Sequence, residues 1–201
     1  MEEDLADYLH RKCSENISGW DAAQRREVQA LAFSIEDWGG EDENDRYVSM
    51  DSIAFTRIMD NPFFRPFECL LDVPHFEYRK PLSSYELALY DSWLARHNVL
   101  PTGKDEGERN VYSPATSKPF YKALTLACQE AARHLHKHDF AAVLGRSLPV
   151  LIALDGCSDE GIISLAATVE CNPPEVMNEL FAYVDRAREN PGHWAGMLSF
   201  E

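Results

Sequence analysis

The stretch Leu148-Pro-Val-Leu-Ile-Ala-Leu154 is the continuous apolar run that decides the fold. It is bounded by Arg146-Ser147 on one side and by Asp155-Gly156 on the other. A short apolar run between turn residues is typical of a strand that is buried on both faces. We therefore expect residues 148–154 to lie at the centre of a sheet.

A second strand is indicated near the start of the chain. Its bulky and small residues alternate at the two-residue period of a strand, with Leu31, Phe33 and Ile35 between Ala30, Ala32 and Ser34. The segment Glu36 to Asp45 contains Gly39-Gly40 and reads as an exposed loop, with a further strand around Tyr47 to Met50. The pattern predicts a hairpin.

Helices are predicted on both sides of this hairpin. Apolar residues at helical spacing predict a first helix (Leu5, Tyr8, Leu9 and Cys13) and a long later one (Phe120, Leu124, Ala127, Ala131 and Leu135). Polar residues at cap positions predict four more starts: Asp21, Ser83-Ser84 before Tyr85 to Arg96, Ser158-Asp159-Glu160, and Asn172 before Pro173-Pro174. After Ser158 we favour the helix, although the alternation of Ile163, Leu165, Ala167 and Val169 would equally suit a strand. We expect the helix over Tyr85 to Arg96 to be buried on two sides, because its apolar residues occupy more than one face.

Two further segments are predicted to be irregular. Asn61 to Pro81 combines four prolines with five aromatic residues, so we expect it to be pinned to the core without regular structure. Thr102 to Asn110 reads as a polar loop. Together these patterns predict a single globular domain over residues 1–201, of the α/β class, with α+β also compatible. Its mixed sheet would carry helices packed on it.

The charge of the chain limits its partners. Nineteen basic and 34 acidic residues give a net charge of -15, which repels nucleic acid and anionic membranes. An acidic surface attracts a basic protein, although acidity also serves solubility. The start Met1-Glu-Glu-Asp-Leu lacks the features of a secretory signal, no apolar run approaches a membrane span, and five scattered cysteines indicate no disulfide framework. The sequence predicts a cytoplasmic location.

The acidic segment is the first candidate for a binding site. Six carboxylates flank one tryptophan within ten residues, namely Glu36, Asp37, Trp38, Glu41, Asp42, Glu43 and Asp45. Their spacing differs from that of an EF-hand, so a solvated loop and a docking surface for a basic partner are the two interpretations. An exposed aromatic residue is a common anchor of protein interfaces, so an exposed Trp38 would favour docking slightly, whereas a buried Trp38 that closes the hairpin would leave the solvated loop as the interpretation.

Two sets of residues could instead support chemistry. His134 and His138 are four apart on the long helix and could hold a metal ion from one face, whereas His136 points elsewhere. Basic residues near a helix C-terminus are also expected from the helix dipole. Cys157 follows the central strand and could be activated by a helix N-terminus, but no base or phosphatase motif accompanies it. The sequence thus predicts no catalytic residue, no cofactor and no metal.

The C-terminal third is similar to a bacterial family catalogued as domain of unknown function 4303. The shared pattern is a small-residue turn, an apolar strand ending in Asp, an acidic helix start, and Asn-Pro before a last amphipathic helix. The corresponding pieces are Phe140 to Gly145, Leu148 to Asp155, Asp159-Glu160, and Asn172-Pro173-Pro174-Glu175 leading to Phe181, with Ala30 to Ile35 as a looser match.

The resemblance implies an immunity-type protein. Members of that family resemble proteins encoded beside polymorphic toxins, where small acidic cytoplasmic proteins neutralise a cognate toxin. It carries no catalytic residues onto this sequence. The expected partner is therefore a protein toxin with a basic surface. A small cysteine-dependent or metal-dependent enzyme and a regulatory or structural subunit are the alternatives.

Overall fold

The computed structural model describes residues 3–28, 30–38, 47–58, 67–69, 83–104, 110–112, 118–154, 162–178 and 198–199. Within these ranges it contains both helices and strands, which is compatible with the predicted α/β class. The helices are α1 (Leu5–Gly19), α2 (Ala22–Glu27), α3 (Ser84–Arg96), α4 (Lys118–His134) and α5 (Leu165–Cys171). The strands are β1 (Ala30–Trp38), β2 (Tyr47–Ile58), β3 (Phe67–Cys69), β4 (Gly103–Lys104), β5 (Asn110–Val111), β6 (Val150–Leu154), β7 (Ile162–Ser164) and β8 (Leu198–Ser199).

The central apolar run forms β6, as predicted. Six of the strands form one sheet in the order β3-β2-β1-β6-β7-β8, and β4 and β5 form a separate pair. β6 runs parallel to β1, with registers from Leu31–Val150 to Ile35–Leu154. Leu151 and Ile152 are fully buried, which agrees with a strand covered on both faces.

The predicted hairpin is also confirmed. β1 and β2 are antiparallel, with a continuous register from Ala30–Phe55 to Trp38–Tyr47. β1 is therefore longer than the predicted strand and includes Glu36, Asp37 and Trp38, which the sequence pattern assigns to a loop. The alternating pattern in the sequence ends at Ile35, whereas pairing with β2 extends the strand by three more residues, to Trp38.

Helices α1 and α4 pack against each other and contribute much of the core. Asp4 caps α1 by accepting a hydrogen bond from the Asp7 amide at 3.1 Å. The buried stripe of α1 recurs every four residues, and that of α4 contains several alanines that let the helices approach closely. These stripes are Leu5, Leu9, Cys13 and Ile17 in α1, and Phe120, Leu124, Ala127 and Ala131 in α4.

Helix α3 begins with a capping box and is anchored by one tryptophan. Ser83 accepts from the Glu86 amide, and the Glu86 carboxylate accepts from the Ser83 amide at 2.7 Å. Trp93 Nε1 donates to the carbonyl of Ala123 in α4 at 2.7 Å. The buried residues of this helix, Leu89, Tyr90, Trp93 and Leu94, form one stripe. Burial on two sides was therefore a wrong prediction, and the surplus apolar residues lie at the margins of that stripe.

The last turn of α4 continues as a π-helix over Leu135–Leu144. It ends at Gly145, whose φ of 69° is the left-handed conformation that glycine adopts without strain. The Gly145 amide donates to the Ala141 carbonyl at 3.2 Å. His134 and His138 therefore lie well inside a helical rod, because ten π-helical residues follow His134.

Side chains of α5 and of Asn172, the residue that follows it, complete the backbone hydrogen bonding of β6. The register of β7 with β6 covers only Ala153 and Leu154. Beside Val150, the Asn172 side chain accepts from the amide and donates to the carbonyl, both at 2.7 Å. The Ile152 amide donates to Thr168 Oγ1 at 3.0 Å. Asn172 thus exchanges the two hydrogen bonds that a neighbouring strand would supply.

The same group of side chains joins α4 and its π-helical extension to α5. Gln129 donates to the carbonyl of Ala167 at 2.9 Å and to the carboxylate of Glu170 at 3.0 Å. His136 Nε2 lies 2.9 Å from Asn172 Oδ1. Burial lowers the pKa of His136, although the hydrogen bond with Asn172 opposes this shift.

Four further predictions need correction, two of them in the C-terminal part of the chain. Asn172 is not a helix cap: Pro174–Val176 is a single 3-10 turn whose cap position, Pro173, makes no side-chain bond. Ile162–Ser164 is a strand and α5 begins at Leu165, so residues 162–164 are not part of the predicted helix. The predicted start at Ser158-Asp159-Glu160 lies outside the described residues. Both readings of this segment were right for part of it, because a strand leads directly into a helix.

The remaining two corrections concern segments predicted to be irregular. Within Asn61 to Pro81, Phe67–Cys69 is a strand, paired with β2; the rest lies outside the described residues. Within Thr102 to Asn110, Gly103–Lys104 pairs with Asn110–Val111. These three strands are too short to produce a recognisable alternation in the sequence.

We expect the substitution Asn172→Ala to destabilise the protein by about 3 kcal/mol, because it leaves the buried amide and carbonyl of Val150 without their partner. Asn172→Asp preserves the size of the side chain, but it replaces the amide nitrogen that donates to the carbonyl of Val150 with an oxygen that cannot donate. This substitution should therefore also destabilise the protein. Urea unfolding measures both. The matched control is Asn178→Ala, because Asn178 is exposed. A loss below about 0.5 kcal/mol would contradict the role of Asn172.

We expect the ionised Glu86 side chain to stabilise the contact between α3 and α1. Burial raises the pKa of Glu86, but hydrogen bonds from the Tyr8 hydroxyl and from Ser83 outweigh it, so the pKa lies below its ordinary value. The Glu86 carboxylate therefore binds a proton more tightly in the unfolded chain than in the folded protein. This stabilisation is complete above the ordinary glutamate pKa of about 4.3 and is lost as the pH falls through the lowered value.

Glu86→Gln should therefore reduce stability at neutral pH and flatten the decline of stability between about pH 5 and pH 3. Urea unfolding across that range measures the effect. Glu27→Gln is the control, because Glu27 is exposed at the end of α2. If both variants give the same pH profile as the unmodified protein, Glu86 makes no such contribution.

Candidate functional site

The acidic segment is divided between a strand and a stretch of sequence outside the described residues. Glu36, Asp37 and Trp38 are the last residues of β1 and stand opposite Ser49, Val48 and Tyr47 of β2. Glu41, Asp42, Glu43 and Asp45 lie outside the described residues. Of the seven residues predicted to form a binding site, the structure therefore places three, at the end of β1.

This end of the hairpin extends past the described end of β6. The last register pair between β1 and β6 is Ile35–Leu154, whereas the pairing of β1 with β2 continues to Trp38–Tyr47. Residues 36–49 contain six acidic residues and one basic residue, a net charge of -5. One third of the net charge of the chain is therefore concentrated in fourteen residues.

A second candidate site is a cluster of three histidines. His134 and His138 are neighbours, as predicted, with ring centroids 6.1 Å apart. His10 of α1 completes the cluster, at 5.3 Å from the ring of His134 and 6.3 Å from that of His138. The structure also confirms that His136 is directed elsewhere, because its ring contacts Asn172.

Two carboxylates accompany the three rings. Asp139, which is buried, lies 2.7 Å from His10 Nε2 through Oδ2 and accepts a hydrogen bond from the Ser14 hydroxyl on Oδ1. Asp7 Oδ1 lies 3.8 Å from His134 Nδ1. In a catalytic triad the histidine stands between the serine and the carboxylate. Here the carboxylate of Asp139 stands between Ser14 and His10, so no histidine stands beside the serine hydroxyl in this arrangement. The arrangement is therefore not a catalytic triad.

The donor atoms of this cluster do not converge as the side chains are placed. Among the residues that the structure describes, no three His, Cys, Asp or Glu side chains are arranged to hold a metal ion. The rings nevertheless lie at one surface, where the side chains of His10 and His134 are 21% and 43% exposed and His138 is exposed. The cluster can therefore be reached from solvent.

The three cysteines whose side chains the structure describes are unsuited to nucleophilic chemistry. Cys13, Cys128 and Cys171 are all buried in the core. Burial raises the pKa of Cys128 well above its ordinary value and that of Cys171 to about 12. A thiol is nucleophilic as its thiolate, which these environments disfavour. Cys157, the cysteine that the sequence favoured, lies outside the described residues.

Sequence reasoning missed His10 and Asp139. The two residues are 129 positions apart and meet only because α1 packs against α4 and its π-helical extension. The local signal of His10 is a polar residue beside Leu9 on an amphipathic helix, which does not distinguish a site from a solvated face. Asp139 could have been noticed as an acid beside three histidines, but its burial follows from tertiary packing.

No protein-family model, curated protein or solved structure matches the chain. The similarity to the family of unknown function therefore stays a prediction. No helix among the described ranges is long and apolar enough to cross a membrane. The function has to be argued from the residues themselves.

We expect Cys13, Cys128 and Cys171 to resist alkylation by iodoacetamide in the native protein at about pH 8, because burial excludes the reagent and disfavours the thiolate. All three should react after denaturation in urea. Mass spectrometry of proteolytic peptides measures each site, and the denatured sample is the control. Rapid native labelling of any of the three would contradict their placement in the core. Selective labelling of Cys157 would instead support the cysteine-enzyme alternative.

Proposed function

We propose that this protein acts by binding, and that the acidic end of its β1–β2 hairpin engages a basic surface on another protein. The observation that carries this proposal is the register of the hairpin. Pairing of Glu36–Trp38 with Tyr47–Ser49 brings both flanks of the acidic segment onto one ordered ribbon. The predicted contact residues remain Glu36, Asp37, Trp38, Glu41, Asp42, Glu43 and Asp45.

Electrostatics supports an encounter with a basic partner. The chain carries a net charge of -15, and the hairpin end concentrates six carboxylates. Clustered charge of one sign accelerates association with an oppositely charged surface by a factor on the order of ten to a thousand at low salt. Such charge contributes more to the association rate and to specificity than to final affinity.

We further propose that the partner is a bacterial toxin and that the protein neutralises it in the cytoplasm. Two features support this step: the family resemblance of the C-terminal third, and the acidity expected of an inhibitor that covers a basic surface. The buried thiols with raised pKa values also favour a binding protein over a cysteine enzyme within the described part of the chain.

The partner can be sought in the neighbouring gene. We expect its product to be toxic when expressed alone, to lose toxicity on co-expression with this protein, and to co-purify with it at submicromolar affinity. Isothermal titration calorimetry measures that affinity. A neighbouring product that is neither toxic nor bound would remove the immunity proposal, and a bound but harmless product would favour a regulatory or structural subunit.

The triple substitution Glu41→Lys, Asp42→Lys and Glu43→Lys tests the hairpin as the interface. We expect the association rate to fall on the order of tenfold to a hundredfold at low salt, and the difference to shrink as salt screens the charges. Stopped-flow or surface plasmon resonance at several ionic strengths measures the rate.

The matched control reverses three glutamates outside the hairpin, by Glu27→Lys, Glu130→Lys and Glu175→Lys. It changes the net charge by the same amount, so a rate effect of net charge alone would appear equally in both variants. Equal slowing would show that the hairpin has no special role. Unchanged kinetics in the hairpin variant would exclude residues 41–43 from the interface.

A further inference from the structure

We propose that His10, His134 and His138 bind a divalent transition metal of the Zn²⁺ class, which links α1 to the junction between α4 and its π-helical extension. This site is separate from the acidic hairpin. The proposal rests on the mutual positions of three imidazoles, on the carboxylate that orients one of them, and on the position of the pair within the helix.

The first argument is the spacing of the rings. Zinc binds imidazole nitrogen at about 2.0–2.1 Å, so three tetrahedrally arranged imidazoles have ring centroids roughly 5 Å apart. The centroids of His10 and His134 are 5.3 Å apart, and His138 lies 6.1 and 6.3 Å from them. One pair thus already has the required spacing, but its rings meet edge to face at 85°, so a shared metal requires rotation of these rings as well as an approach of the third ring by about 1 Å.

The donor nitrogens do not yet converge, and side-chain rotation can supply the missing approach. His138 is exposed and the His134 side chain is 43% exposed, so both rings can turn without disturbing the core. The cost of rotating two exposed side chains is small compared with the free energy of zinc binding to three imidazoles.

The second argument is the carboxylate behind His10. A carboxylate only accepts hydrogen bonds, so the contact of 2.7 Å with Asp139 places a proton of His10 on Nε2, and in the neutral imidazole Nδ1 is then the nitrogen with the lone pair. Metal-binding histidines commonly donate their other nitrogen to a carboxylate in this way. The hydroxyl of Ser14 in turn fixes Asp139, which makes Asp139 a positioning residue.

The third argument removes the ordinary explanation of the histidines. Basic residues gather at helix C-termini because they interact with the helix dipole and the last carbonyls. Here the helical rod continues from His134 through Leu144, so His134 and His138 lie in its interior. The dipole therefore gives no reason for two histidines on the side that faces α1.

The chemistry of the ligands selects the metal. Imidazole nitrogens suit Zn²⁺, Co²⁺, Ni²⁺ and Cu²⁺, whereas Mg²⁺ and Ca²⁺ prefer oxygen. Asp7 lies 3.8 Å from His134, and together with Asp139 it supplies negative charge beside a bound dication. Three protein ligands leave the fourth position of a tetrahedral ion to water. Because such a metal binds the folded chain preferentially, it should also stabilise the fold.

Zinc titration of the chelator-treated full chain tests this proposal. We expect one Zn²⁺ per chain by calorimetry, with a dissociation constant in the micromolar range or tighter, and a higher midpoint of thermal unfolding in excess zinc. Co²⁺ should give visible absorption bands typical of tetrahedral nitrogen coordination. His134→Gln and His138→Gln should each weaken binding by more than tenfold and remove the thermal shift.

Lys137→Gln is the matched control, since Lys137 is exposed between the two ligands on the same helical segment. It should bind zinc as the unmodified protein does. The metal-free histidine variants should unfold at the same temperature as the metal-free parent, because the substituted rings are partly or fully exposed. Asp139→Asn should weaken zinc binding by about tenfold to a hundredfold and alter the Co²⁺ spectrum, as expected of a positioning residue.

Two results would overturn the proposal. One is the absence of zinc binding at about 100 µM metal, where a micromolar site would be nearly saturated. The other is binding that survives the double substitution of His134 and His138, which would locate the metal elsewhere. Either result would leave the hairpin proposal untouched, since the two experiments measure different ligands at different residues.

Discussion

The arrangement of the described residues depends on how the backbone amides and carbonyls along the β7 side of β6 find hydrogen-bond partners. A strand buried on both faces has no water to pair with its amides and carbonyls, so each of them needs a protein partner. The register of β7 reaches only the last two residues of β6. Asn172 and Thr168 serve the earlier residues, Val150 and Ile152, and α5 is thereby fixed against the central strand.

This constraint extends from the sheet to the helix layer. Gln129 joins α4 to α5, and His136 joins the π-helical segment to Asn172. Because His136 is held by Asn172, the neighbouring His134 and His138 are turned toward α1, where they meet His10. The three histidines of one short sequence are thus shared between two different neighbours. The hydrogen bonds of Asn172 with Val150 and His136 thus link the edge of β6 to the helical segment whose other face carries His134 and His138.

The sequence predicted those elements whose pattern is local. The apolar run of β6, the alternation of β1 and the four-residue stripes of α1 and α4 each lie within about fifteen residues, so their periodicity could be recognised directly. Asn172 was misread because an Asn before two prolines has the local form of a helix cap, while its actual partner is a strand more than twenty residues earlier. The pairing of His10 with Asp139 left no periodic trace, because it depends on how α1 and α4 pack.

The assignment of Glu36–Trp38 to a strand changes the physical meaning of the acidity. Carboxylates on a flexible loop can separate to reduce their mutual repulsion, whereas strand pairing restricts that freedom and retains more of the unfavourable energy. Glu36 and Asp37 are the two carboxylates of this segment that the structure places in paired strand. In the proposed complex a basic partner relieves the repulsion, and the paired backbone of β1 loses less conformational entropy on binding than a free loop would. Under that proposal, the stability that the repulsion costs the free protein is recovered when the partner binds.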